Sequence, residues 1–326
     1  MRILLTGVGG PAAISVWKSL NSEHEFFMAD IDPCATGLYL VPEQQRIILP
    51  RGESPDFTHR VFELCQKHQI ELLLPTVDSE LDVLAASSAM FLDHGIKLPL
   101  SSVEALKICR DKYLLLNHCK GSVPIPEYTL LTEETTFTSG KFPLFAKPRR
   151  GSGSNGAMRV ESSHDLSKIP KDGSYLIQEL LPGAEYSVDV YIQSSGQPLA
   201  CVPRLRMKID SGVAVAARTQ KLPALEAMAL AVAKTVDIRY VANIQFKADS
   251  AGQFKLLEIN PRFPGTLPLT AAAGIDIPKL LIKDIKGETL PKQLMPFNEL
   301  MVVRYWTEHF CPTKEWEELC QKQISG

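Results

Sequence analysis

A lysine at the end of an apolar segment is followed by a glycine-rich stretch near the middle of the chain. Residues 142–146 are predicted to form a strand that places Lys147 at its end, and the sequence KPRRGSGSNG covers positions 147–156. Binding a triphosphate needs a fixed cation and clustered backbone N–H groups, and glycine lets a backbone approach phosphate closely. The spacing is not that of a Walker A loop. The stretch therefore predicts a phosphate-binding loop, with a flexible basic hairpin as the alternative.

Oxygen-bearing side chains recur on a predicted hairpin nearer the C-terminus. Its strands cover residues 241–248 and 253–260, and Glu258 and Asn260 share one face because strand side chains alternate. A carboxylate beside amide oxygens suits Mg²⁺, which prefers oxygen ligands and shares them with waters and substrate phosphates. The alternative is a solvated polar face of the sheet.

The expected register of this hairpin adds amides to the same face. We expect Asp249 to lie opposite Gly252 across the turn. Asn243 then falls opposite Glu258, and Gln245 points to the same side. The predicted metal-binding face therefore carries one carboxylate among amide side chains.

A second glycine-rich turn lies at the N-terminus. The sequence GVGGP at positions 7–11 follows a short apolar strand, and Ala12 completes the alanine variant of the dinucleotide fingerprint. Asp30 follows about 20 residues later, as in an NAD site. A helix N-terminus is also a general anion site, so the fingerprint alone is weak evidence. The turn leaves a Rossmann NAD-dependent oxidoreductase open as an alternative.

Short apolar strands alternate with helical stretches over the first hundred residues. This alternation predicts βαβ units, and therefore a parallel sheet with helices on both faces, as in Rossmann-like folds. Beyond about residue 102, prolines and alternating strands indicate an α+β region with antiparallel hairpins. The predicted strands include residues 2–6, 25–30, 46–49, 72–75 and 185–192, and the predicted helices include residues 57–68, 80–94, 103–119 and 223–236.

The composition limits the classes of function. The 326 residues carry 35 Lys+Arg and 37 Asp+Glu, a net charge of −2, and 45% of them are hydrophobic. A near-neutral chain without a basic stripe argues against nucleic-acid binding, and no apolar run approaches the roughly 18 residues of a membrane span. The seven cysteines and seven histidines form no zinc motif. We expect a cytoplasmic protein that acts on small molecules.

The order of these features resembles the ATP-grasp superfamily over nearly the whole chain. Within that superfamily, the sequence is most similar to the synthetase half of carbamoyl-phosphate synthase large subunits and to short amino-acid ligases of that branch. The resemblance implies an α/β, Rossmann-like pre-ATP-grasp domain over residues 1–102, followed by α+β ATP-grasp domains. These are a small subdomain with the glycine-rich loop (103–175) and a large subdomain with the metal site (176–326). The matching features are Asp111-Lys112, Lys147 with its glycine-rich loop, residues 175–186, and Gln245 followed by Glu258-Ile259-Asn260-Pro261-Arg262.

The resemblance also implies how ATP is bound. Two lysines hold the phosphates, residues 151–156 close over them, backbone groups take the adenine edge, and a carboxylate accepts the ribose hydroxyls. The implied nucleotide-binding residues are Lys112, Lys147, Gly151, Ser152, Gly153, Gly156, Glu179, Leu180, Leu181 and Glu185.

By the same resemblance, Gln245, Glu258 and Asn260 hold Mg²⁺, with Mn²⁺ as a substitute, and Arg262 meets the transferred phosphoryl group. Gln245 departs from the relatives that carry a second acidic ligand there. A basic strand with Arg204 and Arg206, followed by Arg218, is implied to bind the substrate carboxylate or the γ-phosphate. The alternative for this strand is an exposed edge protected by charge.

The implied activity is an ATP- and Mg²⁺-dependent ligase that activates a small carboxylate, such as an amino acid, as an acyl phosphate and transfers it to an amine. The implied partners are those two small molecules. We also expect a homodimer. An ATP-binding protein without turnover is the alternative within the same family.

Overall fold

The structure is a computed structural model that describes residues 1–135, 142–151, 153 and 155–325. The N-terminal unit contains the strands β1 (Arg2–Thr6), β2 (Glu25–Asp30), β3 (Arg46–Ile48) and β4 (Leu72–Leu74). They form a parallel sheet in the order β3-β2-β1-β4. The helices around this sheet are α1 (Pro11–Leu20), α2 (Phe57–Lys67), α3 (Asp78–Ala86) and α4 (Ser88–Asp93).

The central strands of this unit are apolar because helices cover both faces of the sheet. Ile3 and Leu5 of β1 pack in one core cluster with Val16 of α1. Leu4 points the other way and packs in a second cluster with Phe57 of α2. The Rossmann-like arrangement predicted for this unit is confirmed.

Two helices predicted as continuous are each broken in the structure. The predicted helix 80–94 is α3 and α4, separated at Ser87. The predicted helix 103–119 is α5 (Val103–Cys109) and α6 (Lys112–Cys119). The second break has a clear cause, because the carboxylate of Asp111 accepts hydrogen bonds from the backbone N–H groups of Tyr113 and Leu114 at 3.1 Å and so starts a new helix.

The middle of the chain forms a small antiparallel sheet. Its strands are β5 (Tyr128–Thr132), β6 (Leu144–Pro148), β7 (Met158–Val160) and β8 (Asp172–Glu179), in the order β5-β8-β6-β7, and the short helix α7 (Ser163–Leu166) joins β7 to β8. Strand β8 runs through the predicted subdomain boundary at residues 175/176.

The last part of the chain forms the larger antiparallel sheet. It contains β9 (Glu185–Ile192), β10 (Pro198–Asp210), β11 (Val213–Thr219), β12 (Tyr240–Ala248), β13 (Phe254–Asn260) and β14 (Met301–Val303), in the order β13-β12-β9-β10-β11-β14. Helix α8 (Pro223–Val236) covers one face, where Val188 packs with Leu225. The other face looks toward the N-terminal unit. The remaining helices are α9 (Leu267–Ala272), α10 (Ile277–Ile285) and α11 (Thr313–Ser325).

The register of the β12–β13 hairpin differs from the predicted one by two residues. The N–H of Asp249 donates to the carbonyl of Gln253 at 2.9 Å, so the turn is one residue longer than expected. A bulge at Leu257 adds the second residue, and Gln245 therefore lies opposite Glu258. Because the two shifts add to an even number, the expected side chains still share one face.

Strand β10 is an interior strand, and the alternative of an exposed edge protected by charge is wrong. It pairs with β9 on one side and with β11 on the other. The charged residue Arg204 is only 2% exposed.

Candidate nucleotide and metal site

A small cavity and a wide cleft adjoin between the small sheet, the large sheet and the N-terminal unit. The cavity, of about 140 Å³, lies between the two antiparallel sheets. The cleft, of about 930 Å³, lies between the large sheet and the N-terminal unit. Glu185, Gln245 and Glu258 line both, so one continuous space connects them.

Lys147 lies in β6 with its side chain directed into the cavity. Its ammonium donates to the carbonyl of Leu257 at 3.2 Å, and this carbonyl belongs to the bulge residue of β13. The residue is 6% exposed. Burial lowers the pKa of Lys147 to about 8, although the nearby Glu258 opposes the shift. A buried lysine that has no carboxylate in hydrogen-bond contact among the described residues is suited to an incoming anion.

Lys112, the first residue of α6, reaches the same place from the opposite side. Its ammonium donates to the carbonyl of Gly151 at 2.8 Å and lies 3.6 Å from the carboxylate of Glu258. The two lysines, which are 35 positions apart in sequence, therefore meet at one carboxylate and at the start of the glycine-rich stretch.

Asp111 fixes that start to helix α6. Its fully buried carboxylate accepts two hydrogen bonds from Nε of Arg149, at 2.9 and 2.8 Å, while it also caps α6. Burial by itself would raise the pKa of Asp111, but the hydrogen bonds from Arg149 and the N–H of Leu114, together with the charges of Arg149 and Arg150, lower it overall. This pair therefore fixes the position of Lys112 relative to the glycine-rich stretch.

The glycines of the stretch have backbone conformations that favour glycine. Gly151, Gly153 and Gly156 have φ values of +125°, +69° and +73°. A Cβ at Gly156 would also lie 3.0 Å from Pro148 and from the hydroxyl of Tyr175. The predicted phosphate ligand Ser152 lies outside the described residues.

The cavity is also lined by Leu180 and Leu181, as expected for an adenine pocket, and by Gln178, which was not predicted as a site residue. Gln178 is 4% exposed, and its side-chain carbonyl has no hydrogen-bond partner among the described residues. The sequence did contain an indication of this position. Gln178 lies two residues after the apolar Leu176 in one strand, so a polar side chain points to the same side of the sheet as an apolar one. An unpaired buried acceptor is suited to a donor group on a ligand.

Two expected nucleotide ligands have other partners in the structure. The backbone N–H of Glu179, expected at the adenine edge, donates to the carbonyl of Glu127 at 3.0 Å, and the side chain of Glu179 accepts from Lys255 at 2.6 Å. Glu185 faces the shared space, but it forms ion pairs with Nε of Arg206 at 3.0 Å and with Lys247 at 3.5 Å. A ribose hydroxyl at Glu185 must share that carboxylate with both cations.

The expected metal ligands come together on the β12–β13 hairpin. Gln245 lies directly opposite Glu258, and Asn260 lies two residues further along the same face. Asn243 points to the same side but donates to the buried carboxylate of Asp189 at 2.7 Å. One carboxylate and two amides form an all-oxygen set that fits a hard cation sharing its coordination with phosphates. Within the residues that the structure describes, no group of three or more His, Cys, Asp or Glu side chains could hold a metal alone.

Arg262 connects this hairpin to the N-terminal unit. Its guanidinium makes a bidentate ion pair with Asp78 of α3, with both N–O distances at 3.0 Å, and contacts the side-chain oxygen of Asn260 at 3.4 Å. Asp78 was not predicted as a site residue, because no local pattern relates positions 78 and 262.

The three expected arginines divide between two strands: Arg204 and Arg206 of β10 line the cleft, and Arg218 of β11 does not. Arg204 lines the cleft, but its guanidinium is bound by the buried Asp189 at 2.8 and 2.5 Å. Arg206 also lines the cleft. Arg218 lies opposite Leu205, whose side chain packs in the core under α8, so Arg218 is exposed on the other face of the sheet. The structure does not bring Arg218 to the cleft.

The N-terminal wall of the cleft is acidic on balance, because it carries four carboxyl groups and two arginines: Asp30, Glu53, Asp78, Glu80, Arg51 and Arg110. The N–H of Gly9 donates to the carboxylate of Asp30 at 2.8 Å. Glu80 is 5% exposed and accepts a hydrogen bond from the hydroxyl of Thr6. Burial, together with the neighbouring Asp30 and Glu53, raises the pKa of Glu80 to about 7. The acidic wall faces the arginine-bearing sheet across the cleft.

Two family models match the chain. Residues 3–99 match the PylC-like N-terminal domain, and residues 171–309 match the model described as ATP-grasp in the biosynthetic pathway with Ter operon. The chain therefore carries a PylC-like N-terminal domain followed by an ATP-grasp domain. The predicted fold and the predicted superfamily are confirmed.

Relatives with assigned activities match parts of the chain. A D-alanine–D-alanine ligase of Thermotoga maritima is 29% identical over 119 residues, which cover 35% of this chain and 39% of that ligase. The chain thus matches about two fifths of the length of this curated relative.

Solved structures share the fold over most of the chain. Biotin carboxylase from Campylobacter jejuni, in a complex with β-γ-ATP, has a TM-score of 0.71 at 18% identity and covers 89% of this chain and 72% of its own. The L-amino acid ligase from Bacillus licheniformis has a TM-score of 0.66 at 14% identity and covers 87% and 74%. None of the helices in the described part of this chain is long and apolar enough to cross a membrane.

Proposed function

We propose that this protein is a cytoplasmic ligase that uses ATP to join a small carboxylate, such as an amino acid, to an amine. The observation that carries the proposal is the meeting of Lys112 and Lys147 with Glu258 at a cavity that opens directly into a wide, polar cleft. Together the cavity and the cleft offer room for ATP, with its phosphates near the lysines, and for the two further substrates. The names of the relatives, a D-alanine–D-alanine ligase and an L-amino acid ligase, support this class of reaction.

The proposed reaction has two steps. An oxygen of the substrate carboxylate attacks the γ-phosphorus of ATP, ADP leaves, and an acyl phosphate forms. The amine nitrogen then attacks the acyl carbon, phosphate leaves with the bonding electrons, and the nitrogen loses a proton. No protein nucleophile is needed, so catalysis consists of positioning and of neutralising negative charge.

The side chains in the cavity are suited to that neutralisation. Lys147 has no carboxylate in hydrogen-bond contact within the part of the chain that the structure describes, and Lys112 can exchange the carbonyl of Gly151 for a phosphate oxygen. Arg262 lies where the hairpin meets the cleft, and we assign it the moving phosphoryl group. We assign Arg206 to the substrate carboxylate and leave Arg218 out of the site.

Gln245, Glu258 and Asn260 would hold Mg²⁺, with Mn²⁺ as a substitute. A bound cation there would neutralise charge on the triphosphate and orient its terminal phosphate. Lys112 now lies 3.6 Å from Glu258 and partly balances its charge, so we expect Lys112 to turn toward phosphate when the cation binds.

The test is ADP release over pairs of amino acids, with mass spectrometry of the products and hydroxylamine added to trap the intermediate. The right carboxylate should give a hydroxamate with or without the amine. Glu258→Gln should lower ADP release by about 10²–10³-fold, because it removes the one formal negative charge of the proposed metal ligands. ADP formation without a hydroxamate, or pyrophosphate in place of ADP, would contradict the acyl-phosphate route.

Arg262 and Asp78 provide a matched pair of variants for the same assay. Arg262→Ala should reduce hydroxamate formation by about 10²-fold and leave ATP affinity nearly unchanged, because the proposed contact forms only as phosphoryl transfer proceeds. Asp78→Asn keeps the guanidinium and should retain most of the activity. Equal losses in the two variants would assign Arg262 to domain contact and not to the phosphoryl group. ATP binding without ADP release for every substrate pair would favour a binding protein.

A further inference from the structure

An exposed apolar surface lies at β14, the edge strand of the large sheet, and on the segment that follows it. None of its residues lines the cavity or the cleft. Tyr305, Trp306 and Phe310 are 88%, 90% and 90% exposed, and Met301 and Val303 of β14 are 58% and 66% exposed. We call these five side chains the β14 surface. Monomeric proteins seldom expose so many large apolar groups within ten residues of chain, and such surfaces usually mark an interaction site.

The chain around the β14 surface is attached at both ends, so these side chains are not on a free tail. The N–H of Arg304 donates to the carbonyl of Val215 at 2.9 Å, and its guanidinium donates to the carbonyl of Gly265. Further along, Glu315 of α11 forms an ion pair with Arg46 at 2.6 Å. The backbone is therefore held while the aromatic rings remain exposed.

Strand β14 also has an unpaired outer edge among the described residues, because it is the last strand of its sheet. The N–H of Arg304 and the carbonyl of Leu300 bond to β11. Since hydrogen bonds alternate along an antiparallel strand, the N–H and C=O groups of Met301 and Val303 point away from β11. Two donors and two acceptors are thus free beside the exposed rings.

We propose that the β14 surface binds a second copy of this chain, with the two β14 strands paired antiparallel about a two-fold axis. With Val302 at the axis, Met301 of one copy lies opposite Val303 of the other. That arrangement uses every free backbone group of both edges and joins the two large sheets into one. A two-fold interface needs one self-complementary patch, and an antiparallel edge strand is such a patch.

The area and charge of the surface favour the second copy as its occupant. Three nearly fully exposed aromatic side chains offer about 400–700 Å². With Met301 and Val303 this approaches the roughly 800 Å² per partner of a stable interface. Between Leu300 and Pro312 the charged residues are Arg304, already bonded, and Glu308. Two copies can therefore meet without strong repulsion between like charges.

The test is sedimentation velocity of the full chain over about 1–100 µM, a range that covers micromolar dissociation constants. The wild type should dimerise. The double variant Trp306→Ser/Phe310→Ser should raise the dissociation constant by about 100-fold or more, because each change occurs twice in a symmetric interface. Val303→Pro should raise it by about tenfold, because it removes a free N–H and leaves the pairing with β11 intact.

Leu92→Ser is the matched control, since Leu92 is an equally apolar side chain, 59% exposed on α4, outside the β14 surface. It should leave the dissociation constant unchanged. Circular dichroism and thermal unfolding establish that each variant is folded. A wild type that stays monomeric throughout the range would overturn the proposal, even if another protein bound the surface. A dimer that survives both sets of changes would place the interface elsewhere and overturn it as well.

Discussion

The two glycine-rich turns of this protein face the same cleft, but their charged neighbours are opposite. The N-terminal turn, residues 7–11, follows β1, and the N–H of Gly9 is taken by the carboxylate of Asp30. The second turn follows β6, and the carbonyl of Gly151 accepts from Lys112, with Lys147 close by. Glycine spacing gives a backbone the freedom to approach a ligand. The side chains around the turn decide whether that ligand is an anion.

The comparison also bears on the dinucleotide alternative. A phosphate at the N-terminal turn would meet Asp30, whose carboxylate already bonds two backbone N–H groups, those of Gly9 and Asp32. Glu80 adds a buried carboxyl group to the same wall. We therefore expect the nucleotide phosphates at the lysines and a different, more cationic group of a substrate near this wall.

The largest expected effect is a loss of ATP affinity when the charge beside the second turn is removed. Lys147→Met should weaken ATP binding by about 100- to 1,000-fold, because it removes a buried charge-assisted contact to phosphate and keeps the length of the side chain. Isothermal titration calorimetry measures the affinity. The fold should survive, since a buried ammonium with one carbonyl partner is replaced by an apolar group of similar size.

Asp30→Asn is the matched change at the other turn and should leave ATP affinity within about twofold. If Asp30→Asn altered ATP affinity as strongly as Lys147→Met, the nucleotide would extend to the N-terminal turn, and the assignment of the two turns would fail.

Local patterns in the sequence were enough to predict most strands and one face of the site. The alternation of side chains placed Glu258 and Asn260 on one face. The apolar segment before Lys147 predicted a strand that ends at this lysine, and β6 lies there. Helix α8, predicted over residues 223–236, has those bounds in the structure. These features depend on neighbouring residues, which a single sequence displays.

The features that could not be predicted depend on residues distant in sequence or on a single inserted position. The bulge at Leu257 follows no local signal, and it supplies the carbonyl that Lys147 contacts. The ion pair of Arg262 with Asp78 joins two domains, and the pair of Arg204 with Asp189 joins neighbouring strands. Composition indicates that charges exist but not which ones neutralise each other, so Arg204 was expected to be available to a substrate.

A smaller effect concerns Glu80 in the acidic wall and is measured as the pH dependence of the free energy of unfolding. The pKa of Glu80 is raised to about 7 in the folded protein, against 4.5 for an ordinary glutamate. The folded state thus binds more protons than the unfolded state between these values, and Glu80 makes stability fall as pH rises from about 4.5 to 7. Glu80→Gln should remove this fall and stabilise the protein at pH 8 by about 2–3 kcal/mol.

Urea denaturation at pH 5 and pH 8 measures this difference. At pH 5 the variant and the wild type should be nearly equal, since Glu80 is then protonated in the folded state. A gain of the same size at both pH values would assign the effect to packing and not to ionisation. A loss at pH 8 would mean that the wall favours a charged Glu80.

The smallest expected effect is a proton taken up at the lysine turn when ATP binds. Burial lowers the pKa of Lys147 to about 8, so about half of the molecules carry a neutral Lys147 at pH 8. A triphosphate favours the charged form, and binding at pH 8 should therefore take up roughly half a proton, falling toward zero at pH 6.5. Calorimetry in two buffers with different ionisation enthalpies gives the number of protons taken up directly.

Two variants serve as controls for this measurement. Asp30→Asn should leave the uptake unchanged, whereas Lys147→Met should abolish it. Equal binding heats in the two buffers at pH 8 would show that Lys147 is already charged before ATP arrives, and the contrast between the turns would then lie in geometry alone.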